Sequence, residues 1–338
     1  MTHEYFMQRC LQLAQLGAGN VAPNPMVGCV IVVDGQIIGE GYHMHYGGAH
    51  AEVNAIHSVD NKALLNQATV YVSLEPCSHF GKTPPCADLL IQYKVKQVVV
   101  GCLDPHAQVA GKGIEKLKLA GIEVLVGVLE NECIELNKRF ITFHQKHRPY
   151  IILKWAETKD GFIAGDIKQI SGTLAQQRLH IWRSEEVAFM IGTNTLLQDN
   201  PALSVRLVEG NNPIRIAVDA ELKSVDKALK FYDQSQTTII INTVKNETDG
   251  LVEYIKVDST DPKPILKVLF EQNILSVVIE GGAQFLQSFL DANLYDEIRV
   301  IKSKLLCFET GLHAPLNPLN ALITEDLGED ILSIYQHQ

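Results

Sequence analysis

Two stretches decide the reading: His50-Ala51-Glu52, and the run EPCSHFGKTPPC at 75–86, with Cys77 and Cys86 near its two ends. One imidazole and two thiolates make a three-ligand zinc site whose fourth tetrahedral position stays open to water, as in catalytic rather than structural sites. Zinc acidifies the water it holds toward neutral pH, and Glu52 is then the proton carrier. Two residues apart in mid-helix, His50 and Glu52 would diverge, so the pair makes sense at a helix start. Thr83 as N-cap and Pro84 at the first helical position likewise predict a helix from about residue 84, with Cys86 in its first turn. There the positive end of the helix dipole favours a thiolate. Either cysteine alone reads as a core residue, since cysteine is among the most buried types.

Outward from this site the chain alternates between helical and strand patterns. Upstream lie an amphipathic helix over 4–16 and the stretch VGCVIVVDGQIIGEGYH (27–43), two β-rich runs around an Asp34-Gly35 type I′ hairpin signal. A helix from about 51, a strand ATVYVSL (68–74), the helix from about 84, a strand QVVVGCL (97–103), a helix near 113–120 and a strand IEVLVGV (122–128) follow. This order predicts an α/β layer fold. The periodicity lapses at HQKHRP (144–149), which marks a boundary between domains at 1–145 and 149–338. Beyond it we read a strand at 150–156, a helix at about 173–184, and buried strands AFMIGT, IRIAVD, TTIIIN and SVVIEGG. A helix at about 283–292 and a closing strand EIRVIKSKLL complete this half, with KNETDG and DSTDPKP as exposed loops.

Composition agrees with two soluble domains: 338 residues, 46% hydrophobic, are too many for one typical core. A net charge of -10 argues against a nucleic-acid partner. No run of about 18 apolar residues offers a membrane span, and MTHEYFMQRC lacks a secretory pattern, so a cytoplasmic protein with no membrane partner is expected. Seven cysteines scattered through a long chain suit a reducing compartment better than a disulfide framework. The second half has no GxGxxG after a first strand. Its one signal is IEGGAQF (279–285), a glycine pair between a buried strand and a helix, where backbone amides could approach a phosphate.

The spacing Cys-x8-Cys departs from the Cys-x-x-Cys of nucleobase and tRNA deaminases. With APNPMVGCV (22–30) and GYHMHYGGAHAE (41–52), it resembles the deaminase domain of the bifunctional RibD family of riboflavin biosynthesis. That resemblance implies a cytidine-deaminase-like αβα fold that replaces an amino group of a diaminopyrimidinone ribose phosphate by oxygen. It assigns zinc to His50, Cys77 and Cys86, proton transfer to Glu52, and substrate contacts to Asn24, His43, His79, Lys82 and Asp104. In LDPHAQVAGKG (103–113), His106 and Ala107 stand where the family usually has Asn-Pro after Asp-Pro.

The stretches KWAETKDGFIA (154–164), RLHIWRSEEVAFMIGTNTLLQDNPALSVR (178–206) and VVIEGGAQFLQSFL (277–290) resemble the reductase half of the same family. This implies a dihydrofolate-reductase-like α/β fold, NADPH as cofactor, and reduction of the ribosyl to a ribityl chain. Ala156, Thr195, Asp199, Gly282, Ala283, Gln284, Phe285, Leu286, Gln287 and Ser288 should then line the cofactor. Lys154, Arg183, Leu203, Arg206 and Glu280 should face the substrate, the two guanidiniums suiting phosphate. Lys168-Gln169 replaces an aromatic-containing pair common in the family, which leaves open a working deaminase beside a silent reductase. A nucleoside or tRNA deaminase with an accessory domain, and a non-enzymatic protein stapled by zinc, are the other readings. The family also implies a homo-oligomer built through the reductase domain.

Overall fold

The computed structural model describes residues 1–78, 84–105, 110–165, 169–225 and 227–337. His79, Lys82, Thr83, His106, Ala107 and Lys168, all singled out above, lie outside the described residues. The chain divides into two compact units, Met1–His147 and Arg148–Gln338.

The first unit runs α1 (His3–Gln15), β1 (Gly28–Val33), β2 (Gln36–Tyr42), α2 (Ala51–Ser58), β3 (Thr69–Leu74), α3 (Cys86–Gln92), β4 (Gln97–Cys102), α4 (Lys112–Leu119), β5 (Glu123–Val126), α5 (Glu130–Leu136) and α6 (Lys138–Lys146). Its sheet has the order β2-β1-β3-β4-β5, antiparallel on either side of β1 and parallel from β3 to β5. The hairpin turns on Asp34 and Gly35, with φ of 49° and 76°, the positive pair of a type I′ turn. β1 is buried along its whole length, so both faces of the sheet are covered. On one face Cys29, Ile31, Val70, Val72 and Val98 pack with Ala55, Ile56, Leu90 and Leu117 of α2, α3 and α4. On the other, α1 lies so close that a Cβ on Gly28 would meet Cys10 O at 2.0 Å.

The second unit runs β6 (Tyr150–Glu157), β7 (Phe162–Ala164), α7 (Thr173–Glu185), β8 (Ala188–Gly192), α8 (Thr193–Asp199), β9 (Ile214–Val218), β10 (Thr238–Asn242), β11 (Glu247–Asp249), β12 (Val252–Lys256) and α9 (Pro262–Glu271). It continues with β13 (Ser276–Glu280), α10 (Ala283–Asp291), β14 (Glu297–Ser303), β15 (Leu312–His313), β16 (Ile323–Leu327) and β17 (Asp330–Gln336). Ten strands form one sheet in the order β11-β12-β10-β9-β8-β13-β6-β14-β17-β16, with β7 and β15 paired separately. From β12 to β14 the neighbours are parallel. Successive β6 side chains alternate between two cores, as a doubly covered strand requires. Ile151, Leu153 and Trp155 pack with Leu269, Leu286 and Phe289 of α9 and α10. Tyr150 and Ile152 pack with Ala175 and Trp182 of α7.

Several sequence expectations need correction. The helix expected from residue 84 begins at Cys86, with Pro85 in the N-cap position. EIRVIKSKLL is not the closing strand, because the β16–β17 hairpin follows and β17 adds antiparallel to β14. KNETDG contains the exposed edge strand β11, and DSTDPKP runs into α9, with Asp261 as N-cap and Pro262 at its first position. No helix among the described residues is long and apolar enough to cross a membrane.

Candidate active sites

His50 occupies the N-cap position of α2 with an extended backbone, so its side chain leaves the helical wheel and Glu52 falls in the first turn. Cys77 lies just beyond β3, and Cys86 opens α3. Their ligand atoms lie within 4.8 Å of one another. His50 Nδ1 is 3.6 Å from Cys77 Sγ and 3.3 Å from Cys86 Sγ. Tetrahedral zinc bonds place nitrogen and sulfur ligands about 3.6 Å apart, so the three groups fit that ion. The first amide of α3 does not serve Cys86 itself: Cys86 N–H donates to Cys77 Sγ at 3.3 Å. The hydrogen bond from the Cys86 thiol first, then those from His50 and the Cys86 amide, draw the Cys77 thiol well below its usual value against the burial that would raise it. The Glu52 carboxyl is 4% exposed. Burial first, and the charge of Cys77 second, push its pKa up.

Asn24 and His43 meet beside this centre. Asn24 Nδ2 donates to His43 Nε2 at 3.0 Å, and His43 Nδ1 lies 3.0 Å from Ala49 O. A carbonyl can only accept, so these partners put the His43 proton on Nδ1 and leave the ring neutral. Burial lowers its pKa in the same sense. The His43 and His50 rings stand edge to face, 5.7 Å apart.

Asp104 is buried at the end of β4, and its placement depends on a residue for which the sequence assigned no role. Glu75 Oε2 accepts from Asp104 N–H at 3.4 Å and Gly111 N–H at 2.9 Å, while Oε1 accepts from Gly113 and Ile114 at 3.0 and 3.4 Å. One carboxylate thus satisfies the first turn of α4 and ties the segment carrying Asp104 to the zinc motif. The EPC triplet was the available signal, but nothing local marks its glutamate as a distant cap.

In the second unit, β13 lies between β8 and β6, where the strand order reverses, and the carboxyl ends of such strands form a ligand crevice. Gly281 and Gly282 turn there with φ of 91° and 72°, a conformation costly for any residue with a Cβ. A Cβ at Gly281 would lie 3.1 Å from Thr195 Oγ1. Gly282 is the N-cap of α10 and supplies no side-chain cap, so the first amides of the helix face the turn. This uncapped cradle fits a phosphate of a dinucleotide. Ala156 is the penultimate residue of β6, and Asp199 is exposed at the end of α8. Leu286 is wholly buried in the core, so it can offer only backbone. Ser288 Oγ donates to Phe285 O and Gln287 Nε2 to Asp291 Oδ1, both at 2.7 Å within the helix. Ala283 and Gln284 stay at the helix mouth, and Phe285 packs toward Gly192.

Lys154 and Arg183 converge on Glu280. Lys154 Nζ lies 3.0 Å from Glu280 Oε1, and Arg183 Nη2 lies 3.3 Å from Glu280 Oε2. Burial alone would raise the Glu280 pKa, but the two cations hold it below its ordinary value. Arg183 Nε has no hydrogen-bond partner among the described residues. Leu203 is buried with φ of 48°, and Arg206 is exposed three residues on, its Nη1 donating to Ser204 Oγ at 2.8 Å. Lys154 and Arg183 share one carboxylate, and Arg206 lies within the field of Arg183, so the cluster has positive charge to spare for an anion.

Fold and sites together define a hydrolytic zinc deaminase joined to a nicotinamide-dependent reductase. Residues 1–102 match the cytidine and deoxycytidylate deaminase zinc-binding region, and 149–306 match the RibD C-terminal domain. The riboflavin biosynthesis protein RibD of Aquifex aeolicus is 39% identical, over 98% of this chain and 97% of its own. That of Escherichia coli is 38% identical, over 90% and 89%. The Thermotoga maritima diaminohydroxyphosphoribosylaminopyrimidine deaminase/5-amino-6-(5-phosphoribosylamino)uracil reductase superposes with a TM-score of 0.90 at 38% identity, covering 98% of each chain. The chain belongs to the RibD family of bifunctional riboflavin-biosynthesis enzymes. Its cofactors are Zn2+ and NADPH.

Proposed function

We propose that residues 1–145 deaminate a diaminopyrimidinone ribose phosphate and that residues 149–338 then reduce its ribosyl group to ribityl with NADPH. The observation that carries this reading is the convergence of His50, Cys77 and Cys86 within 4.8 Å, with the buried carboxyl of Glu52 in their field. The named activities of the Thermotoga maritima relative supply the substrate pair.

In this reading His50, Cys77 and Cys86 hold zinc, which supplies an acidified water. Glu52, buried beside those ligands, would take a proton from the attacking water and give one to the departing amine. Asn24, His43, His79, Lys82 and Asp104 bind the base and ribose phosphate, with His43 held in one tautomer by Ala49 O. NADPH supplies the hydride. Ala156, Thr195, Asp199 and the segment Gly282, Ala283, Gln284, Phe285, Leu286, Gln287 and Ser288 seat it, the helix mouth taking phosphate. Lys154, Arg183, Leu203, Arg206 and Glu280 orient the substrate. The cationic surplus of this group supports a phosphorylated substrate.

We further assign the protein to the cytoplasm, which suits its seven free thiols, and to a homo-oligomer built through the second unit. Exposed Leu305, Leu312, Leu316, Leu322 and Ile323 support self-association there.

The test is mass spectrometry of the diaminopyrimidinone ribose phosphate after incubation with zinc-loaded protein. Exchange of amino for oxo without NADPH, and gain of two hydrogens with it, are expected. Deamination without reduction would remove the second half of the reading, and an unchanged substrate would remove both.

A further inference from the structure

His180, on α7, belongs to none of the residue sets assigned above, yet it stands beside Arg183, Arg206 and Glu280 of the substrate-facing set. Its ring is 4% exposed and lies one helical turn before Arg183. Nδ1 accepts the Arg206 backbone N–H at 2.9 Å, so that nitrogen carries no proton. Among the described residues the segment 203–206 has few other ties. Leu203 is buried in the core beside α7 in a left-handed conformation, and Arg183 Nη1 donates to Ser204 O at 3.4 Å. Val205 N–H donates to Asn212 Oδ1 at 2.7 Å within the same loop. The charged groups acting on the imidazole are Arg183, Arg206 and Glu280. A protonated ring would lose the Arg206 bond and add a third cation beside two guanidiniums.

We propose that His180 is the positioning residue of the reductase anion site: by accepting the Arg206 N–H it fixes the segment that presents Leu203 and Arg206 to the substrate. The inference rests on the reading of Arg183 and Arg206 as anion-binding groups. Side-chain packing alone predicts a loss of stability, whereas positioning predicts weaker substrate binding with the chemical step intact. An asparagine can place its amide oxygen close to where Nδ1 stood, while phenylalanine keeps the volume and removes the acceptor.

The test uses the zinc-loaded full chain and follows NADPH oxidation on the deaminated ribose phosphate, with inorganic phosphate as competing anion. His180→Phe should raise the substrate KM and the phosphate inhibition constant about tenfold, as expected for one lost hydrogen bond in a charged site. Its kcat should stay within about twofold, and His180→Asn should restore most of the loss. The NADPH KM should be unchanged in both, which reports an intact second unit. Unaltered substrate KM in His180→Phe, or His180→Asn as impaired as His180→Phe, overturns the proposal. Arg206→Ala separates the two layers: if it alters neither KM nor phosphate inhibition, the anion reading falls and the proposal with it. If Arg206→Ala is impaired and His180→Phe is not, the proposal alone falls. Should His180→Phe lose NADPH binding, His180→Gln, whose acceptor is displaced by one methylene, replaces it with the same two outcomes.

Discussion

Glu52, proposed above as the proton carrier, is buried at the start of α2, and burial first, then the charge of Cys77, raises its pKa. Glu52→Gln keeps the shape and leaves the three ligands in place. Zinc content should stay at the parent level, the deaminase kcat should fall by about a hundredfold or more, and reductase turnover should be unchanged. Normal deamination by this variant would exclude Glu52 as the proton carrier. His180 gives a pH signature at the same scale. Desolvation first, then Arg183 and Arg206, lower its pKa from 6.5 to about 4. The unfolded chain therefore binds this proton before the folded one does, so the contribution is whole above pH 6.5 and drains as pH falls toward 4. Thermal denaturation across that window should show a steeper loss for the parent than for His180→Asn; equal slopes would count against a neutral buried ring. The cluster of His50, Cys77 and Cys86 with Glu52 was legible because reactive residue types follow one another in a fixed order, three of them at helix starts and Cys77 just beyond a strand. Glu75 and His180 were not, because what they accept comes from amides 29 to 39 and 26 residues away in sequence.

Among elements, α4 depends on that distant glutamate for its cap. Glu75→Ala leaves the amides of Asp104, Gly111, Gly113 and Ile114 without their acceptor, and should cost the first unit about 3 kcal/mol in urea unfolding. The deaminase KM should rise as well, since Asp104 loses its tether. An unchanged unfolding midpoint would mean that water satisfies the turn equally well. Strands buried on both faces, such as β1, β4 and β10, were readable as apolar runs. β11 and β16 were not, because edge strands with exposed side chains carry no such run. α9 hid behind a loop-like Asp261-Pro262 that is in fact a helix start, in which proline has no amide to leave unpaired. α5 and α6 went unread although α6 buries Phe140 and Phe143, three residues apart on one face, because each helix is short and carries few apolar residues.

At the level of the whole molecule, each unit has cores of its own, HAE and EPC chemistry in one and the glycine-pair crevice in the other. Arg148 belongs with the second unit, holding Asp296 through two bonds of 2.5 and 2.8 Å. Separately produced 1–147 and 148–338 should therefore each stay soluble, the first deaminating and the second oxidising NADPH on the deaminated product. Loss of either activity on separation, without loss of folding by circular dichroism, would show that the units need one another. The place of β13 has a consequence for how the protein is made. β6 and β8 leave the ribosome early, yet the strand that joins them is Ser276–Glu280. Until that segment emerges, two apolar strands wait with unpaired edges, the kind of surface that recruits strands from neighbouring chains. Translation halted shortly before residue 276 would thus yield an aggregation-prone nascent chain in place of a shortened enzyme.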